Sequence, residues 1–433
     1  MAIRVTRRQA LLAASSLALA GCGGATTGGS GGRPAQVTVW YETGLSIAAT
    51  LKTLIDRYNA GKPAVPVVAQ PQPDLSVKLL VVIGAHDAPN VVIYPRSRAW
   101  ALVSRGVAFP LTDFAHRDAL SSSVFGHGFW QGGLVKNQLW GLPLGGDSNV
   151  LAYNAKLLAA AKVQPLATWS TSAFSAACAA LVQRDKNGHL LQTGSILGLS
   201  VTFAVWLWQQ GADVLSPDTK SPAFNNAAGL KALNWLLANQ QVNGGAGEIG
   251  RLVSLTTLTE GITGVFTHGK LGMLPTTYSG FRRLQSQSPQ TPIHLTTLPT
   301  LDGGQPATAA DVIYAFSPQQ ATAPQPEGTW QFIKWLATDP DAQAAMLAGG
   351  VIPALRGAQQ APALTSDADA TLMVQALQTA RTPQDAVWEP EVASELDMDV
   401  QKALNGQVTP QQALADASAH AVQTIQQAIT LGE

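Results

Sequence analysis

The chain has only two cysteines, Cys22 and Cys178, in 433 residues, so no framework of disulfides supports it. Charge is also scarce: Asp, Glu, Lys and Arg make up 12% of the sequence, about half the usual share. Lys and Arg number 27 and so do Asp and Glu, giving a formal net charge of zero. Such a sparse, balanced set provides no basic field for nucleic acid or anionic lipid, and no nucleic-acid partner is expected. Nor is there an apolar run of the roughly 18–20 residues that cross a bilayer. The most apolar internal window, 196–208, is broken by Ser200 and Thr202.

Reactive constellations are missing as well. The histidines at 86, 116, 127, 189, 268, 294 and 420 stand singly, none at the i, i+4 spacing of a helical metal site. Outside the Gly-rich stretch 28–32, no Gly-x-Ser-x-Gly elbow occurs, and there is no Ser-x-x-Lys pair. The run from Gly264 to Gly269-Lys270 has P-loop spacing, but Leu271 stands where a hydroxyl would hold Mg²⁺. No metal, cofactor or catalytic residue is expected. Paired carboxylates for glycoside cleavage need only meet in space, so a secreted carbohydrate-active enzyme stays open as an alternative.

What the chain does have starts at its N-terminus. Arg4, Arg7 and Arg8 precede an apolar run from Ala10 to Leu19 that ends at Ala20-Gly21-Cys22. The run is too short to span a membrane and reads as an export signal. Its end resembles the bacterial lipoprotein signal, which implies cleavage after residue 21 and lipidation of Cys22. Arg7-Arg8 also resembles a twin-arginine export signal, and the route of export stays open. Residues 22–35, rich in Gly, Ser and Thr, read as a flexible tether.

The remainder alternates strand and helix. Val37-Thr38-Val39-Trp40-Tyr41, Val65-Pro66-Val67-Val68 and Val91-Val92-Ile93-Tyr94 read as strands, the second with an edge position or an irregular start because of its proline. Between the first two, Ser46 is a plausible N-cap for a helix whose face carries Leu51, Leu54, Ile55 and Tyr58. This alternation predicts an α/β layer with a largely parallel sheet. Helices are expected at 170–183, 203–211 and 226–239, and strands near 263–266 and 271–274. Cys178, with Phe174, Ala177, Leu181 and Val182, has the spacing of a buried helical stripe. Trp40, Trp330 and Trp335 read as core. Asp339-Pro340 opens a helix that closes at Gly349-Gly350, and Thr409-Pro410-Gln411-Gln412 reads as a capping box.

Several segments together resemble the extracellular solute-binding proteins of ABC importers, the family that includes maltose-binding protein. They are Gly141-Leu142-Pro143 with Asn149-Val150-Leu151-Ala152-Tyr153-Asn154; Pro165 to Trp169 with Phe174; and Val265 to Met273, which accounts for the false P-loop. Further on come Trp330 to Leu336 with Asp339 to Gln343, Gly350 to Ala354, and Ala403 to Gly406 with Thr409 to Leu414. Val351 departs from the aromatic usual after that glycine. The resemblance implies a periplasmic-binding-protein type II fold, with two α/β lobes joined by a hinge and the ligand in the cleft between them. The chain would cross between lobes near 144–149, near 306–316 and just after 353. Lobe one would take 36–145 and 312–357, and lobe two 146–311 and 358–433.

A sugar site needs aromatic faces and planar polar side chains at the C-terminal ends of sheet strands. That rule selects Tyr41, Glu42 and Thr43, and then Tyr94, Arg96 and Ser97. The resemblance implies that Tyr94 stacks on a ring, that Ser97 holds the place of a ligand-binding acid and that Asp147 bonds sugar beside the hinge. It also implies ligand-facing roles for Phe203, Trp206, Tyr278, Ser279, Gly280 and Trp388. The implied function is a monomeric, membrane-anchored lipoprotein outside the cytoplasm that carries a sugar to an ABC permease. A glycerol-3-phosphate or glycerophosphodiester ligand is the alternative, served by Arg96 and Ser279. A sensor domain feeding a membrane signalling partner is a further class.

Overall fold

The computed structural model describes residues 35–198, 201–256, 260–319, 321 and 325–431. The expected export signal, Cys22 and the expected tether up to residue 34 lie outside the described residues. The first strands are β1 (Val37–Glu42), β2 (Val67–Gln72), β3 (Val91–Pro95), β4 (Leu134–Val135) and β5 (Gln138–Leu139). Then come β6 (Gly141–Ser148), β7 (Val150–Asn154), β8 (Gln183–Arg184), β9 (Leu190–Ser195) and β10 (Leu271–Thr276). The last are β11 (Ile293–Thr296), β12 (Thr308–Phe316), β13 (Ile352–Pro353) and β14 (Ala380–Arg381).

One sheet has the order β13-β6-β12-β3-β1-β2, with β14 also paired to β12. β2 begins after Pro66 and occupies the edge, where a missing N–H costs no ladder bond. The pairs β1–β2 and β1–β3 are parallel, as strand–helix–strand alternation predicts. β12, however, enters antiparallel between β3 and β6, so the sheet is mixed rather than largely parallel. The second sheet runs β11-β7-β10-β9-β8.

Each sheet has its own core. Val39, Ile93, Tyr94, Leu142, Tyr314 and Trp330 pack on the first. On the second, period-two alternation sends Leu151 into a core with Cys178, Trp206 and Leu404, and Val150 and Ala152 into another with Phe266 and Phe281. Trp40 is buried, Trp330 is fully enclosed and Trp335 is half-buried against Tyr58.

Local signals account for several helix ends. Ser170 caps Thr171–Leu181, whose buried face is Thr171, Phe174, Ala177, Cys178 and Leu181. Asp339 accepts from the amides of Asp341 and Ala342 to cap Pro340–Ala348. Only half of the capping box forms at Pro410–Leu431: Thr409 accepts from the Gln412 amide, whereas the Gln412 side chain turns to Asp416. Ser46 is not a cap, since the first helix is Ala48–Ala60 and Ile47 precedes it without a side-chain bond. The expected strand at 263–266 is helix Gly261–Thr267, with Gly264, Val265 and Phe266 all buried. A short apolar run fits either state, and here packing on the second sheet decides. Gly269, at φ 68°, and Lys270 close that helix by donating to Phe266 and Val265.

Two strands tie the lobes together. β6 passes through Asn149 directly into β7, from the first sheet to the second. β12 starts beside it, with the Asn149 amide donating to Ala309 at 3.2 Å and Thr308 Oγ1 donating to the Asn149 carbonyl at 2.6 Å. Within the pair, Gly145 faces Ile313 and Pro143 faces Tyr314, so Leu144 is the extra residue of a bulge. A Cβ on Gly145 would come within 2.7 Å of the Ile352 carbonyl oxygen, which is why β13 can lie so close.

Candidate ligand-binding site between the lobes

A cavity of about 740 Å³ opens between the two lobes. Its size falls in the range of small-molecule sites, roughly 300–1,000 Å³. One wall comes from the first lobe: Arg96, the segment Gly128, Phe129, Gln131 and Gly132, and Ala310 and Val312 of β12. The other is formed by Pro217 and Thr219, Leu377, and the run from Ala380 to Asp385.

Arg96 begins the helix Arg96–Val103 and is buried. Its Nε donates to the Gly132 carbonyl at 3.1 Å, its guanidinium lies 4.4 Å from the Trp100 ring centre, and Nη2 donates to Asp385. Gly132 makes room for this: a Cβ there would meet Arg96 Cδ at 3.3 Å and Tyr314 Oη at 2.5 Å. Tyr314 Oη donates to the Phe129 carbonyl at 2.5 Å, and burial pushes its pKa up. The segment bearing Phe129 is thus fixed from below by β12.

The second wall is braced by side chains. Gln384 accepts from the Leu215 amide at 2.7 Å and donates to its carbonyl at 3.0 Å. Arg381 pairs with Asp213 at 2.7 Å and lies 5.2 Å from the Trp208 ring. Trp388 Nε1 donates to the Thr219 carbonyl at 2.8 Å. Thr219 itself holds φ 59°, a left-handed conformation rare for a β-branched residue. Behind this wall Glu389 is buried, and burial pushes its pKa up to about 7, opposed by the charge of Arg96.

Of the residues selected from sequence, Arg96 alone lines this cavity, with Trp388 directly behind Thr219. Tyr94, expected as a stacking platform, has no exposed surface, because β12 lays Tyr314 beside it in register. Tyr41 is likewise packed in the first core, and Glu42 is paired with Arg98. Thr43 donates its amide to Gln72, and Ser97 bonds Asp311 rather than facing the cavity. Phe203 and Trp206 are buried in the second lobe, where Phe203 borders a separate hollow of about 570 Å³ and Trp206 packs against Trp235 at 5.1 Å.

Asp147 is buried at the hinge. It accepts from the amides of Tyr278 at 2.5 Å and Ser279 at 2.9 Å, and so holds the N-terminus of helix Tyr278–Gln287. Tyr278 and Gly280 are buried there, and Ser279 with Gly280 borders a separate hollow of about 240 Å³. The helix therefore turns its starting amides to the protein's own carboxylate. Phe129, Gln131, Thr219, Arg381 and Gln384 had not been singled out. The glycine-flanked aromatic run 128–133 and the proline-bearing polar stretch 381–385 were the only sequence signals for four of them, and Thr219 lies in neither.

Among the described residues no group of three His, Cys, Asp or Glu is placed to hold a metal ion. No described helix is long and apolar enough to cross a membrane.

The model of the bacterial extracellular solute-binding protein family matches residues 53–372. The chain belongs to that family. No curated protein matches it by sequence. Among solved structures, the sugar-binding protein MalE of Xanthomonas citri is similar, with 18% identity, 92% of this chain and 98% of that one covered, and a TM-score of 0.77. The cyclic α-maltosyl-1,6-maltose-binding protein of Arthrobacter globiformis is 20% identical over 91% and 99% of the two chains, with a TM-score of 0.74. An ABC substrate-binding protein of Listeria monocytogenes in complex with cycloalternan is 18% identical over 91% and 99%, also at 0.74. These likenesses establish the two-lobed α/β fold. In this solute-binding protein the second-wall run 380–385 lies beyond the matched residues, whereas Arg96 and Phe129 lie within them.

Proposed function

We propose that the protein captures a sugar or oligosaccharide in the cavity between its lobes and delivers it to an ABC permease, without transforming it. The observation that carries this reading is the cavity itself: both lobes supply a wall, and the polar lining brings amide, hydroxyl, guanidinium and carboxylate groups together beside Phe129. Such groups suit sugar hydroxyls, and Phe129 suits a C–H face. The two-lobed fold, shared with sugar-binding proteins of ABC transporters, supports the same reading. Lobe closure over the ligand would create the surface that the permease recognises. We further propose that the chain works as a monomer outside the cytoplasm, anchored by a lipid on Cys22. Metabolic labelling tests the anchor: Cys22→Ser should carry no label, and an unlabelled wild type would remove the anchor from this reading.

A thermal-shift screen against neutral oligosaccharides tests capture. Ligand at 100 times its dissociation constant should add about 2.7 kcal/mol of stability. Small-angle scattering of the same samples should show a smaller radius of gyration. Stabilisation without compaction would argue against closure, and product formation from a bound sugar would make the protein an enzyme.

A further inference from the structure

We propose that the cavity selects an uncharged polyhydroxyl ligand and rejects phosphorylated or otherwise anionic ones, because the ion pair of Arg96 and Asp385, joined across the two walls, leaves no cation free. This inference rests on the capture reading and narrows its ligand.

Two cations line the cavity, and both are committed. Arg381, whose side chain is 42% exposed, is paired with Asp213 at 2.7 Å and lies 5.2 Å from the Trp208 ring centre. Arg96 has its Nε on the Gly132 carbonyl, its face on Trp100 and its Nη2 on Asp385. The Arg96 side chain is 6% exposed, whereas that of Asp385 is 56% exposed and presents its carboxylate to the cavity. Arg96 adjoins the core of the first lobe, while Asp385 directly precedes Ala386, which packs in the core of the second. The pair therefore joins the two walls, which β14 also holds together by pairing with β12.

A phosphate reaching Arg96 would have to expel Asp385, leaving that carboxylate unpaired, or lie beside it against like charge. Glu389 adds to the opposition whenever it ionises, since it lies in the field of the same guanidinium. A sugar hydroxyl meets neither obstacle. It can donate to Asp385 while accepting from an Arg96 N–H, so the pair reads an uncharged group through both partners. Selection here is by repulsion of the wrong ligand as much as by contact with the right one.

The test uses glycerol 3-phosphate and inorganic phosphate as probes in calorimetric titration at low salt. Neither should bind the wild-type protein. Asp385→Asn frees the guanidinium and should gain at least about tenfold in affinity for both probes, ~1.4 kcal/mol. The double variant with Arg96→Gln should lose that gain. Cooperative melting checks that Asp385→Asn is folded, and Asp385→Ser repeats the arm if it is not. Binding of either probe to wild type, or no gain in the folded variants, overturns the proposal. Neutral maltotriose and mannotriose form the separate arm. If they fail to bind while the phosphate arm behaves as expected, the sugar reading falls and the rejection of anions stands.

Discussion

Asp147 on β6 and Asp311 on β12 are cross-strand partners, and each carboxylate takes the N-terminus of a helix in a different lobe. Asp147 accepts from Tyr278 and Ser279, at the start of a helix packed on the second sheet. Asp311 accepts from the Ser97 amide at 3.4 Å and its hydroxyl at 3.1 Å, at the start of the helix that carries Arg96. One rung of the crossing ladder thus holds both lobes, and the Arg96 helix is fixed by the same rung.

Asp147 should give the protein a characteristic response to pH. Burial pushes its pKa up to about 6, against the backbone donors of Ser279 and Tyr278. The folded state therefore retains a proton that an unfolded aspartate releases near pH 4. Stability from this group is greatest below about pH 4 and is lost as pH rises to about 6, by up to about 1.4 kcal/mol per unit. Asp147→Asn cannot satisfy both amides and should cost about 1–3 kcal/mol. Chemical denaturation of both proteins from pH 4 to 7 should show the gap narrowing as pH rises. Parallel profiles would remove Asp147 as the cause.

Tyr94 and Phe129 should separate stability from binding. Tyr94→Ala empties a fully enclosed site and should cost about 3–5 kcal/mol whether or not ligand is present. Phe129 touches the cavity, so Phe129→Leu should keep most of the packing and weaken sugar binding. Melting temperatures and calorimetric affinities of the two variants distinguish these roles. A loss of affinity confined to Tyr94→Ala would move the site to that strand.

Thr219 stores backbone strain at the cavity rim. Thr219→Gly should relieve roughly 1–2 kcal/mol of left-handed cost, offset by about 1 kcal/mol of chain entropy, and leave stability nearly unchanged. The freed loop should bind sugar more weakly and release it faster, read by stopped-flow dissociation. An unchanged release rate would show that the strain has no role in holding the rim.

Cys178 should be inert in the native protein. It is fully buried, and burial pushes its thiol up to about 12, opposed by Asn243 and Asn239. Peptide mapping after treatment with a thiol reagent should find Cys178 unmodified until denaturant is added. Native labelling at the rate of a free thiol would mean that helix Thr171–Leu181 opens locally.

The layer architecture was legible because its signals are local. Strands such as β1 and β3 are β-branched runs between turn residues, and the helix after Asp339 declares its cap and its proline. The ligand cavity was not legible in the same way. Choosing residues at strand ends placed Tyr94 in the crevice, but β12 arrives from more than two hundred residues later and covers it. The second-wall run 380–385 is irregular chain after a two-residue strand, and its partners Asp213 and Leu215 are distant in sequence. Arg96 could be picked out because it follows β3 directly, but the carboxylate it meets could not, since no periodicity relates residue 96 to residue 385.

The unbroken passage of β6 through Asn149 into β7 determines how the molecule deforms. Extended backbone resists stretching, because its dihedrals are already near their longest reach, yet it bends and twists readily. Load applied to one lobe reaches the other as tension in a single taut ribbon, with β12 laid alongside as a second. Pulling the lobes apart along that ribbon should therefore meet more resistance than rotating one lobe about it.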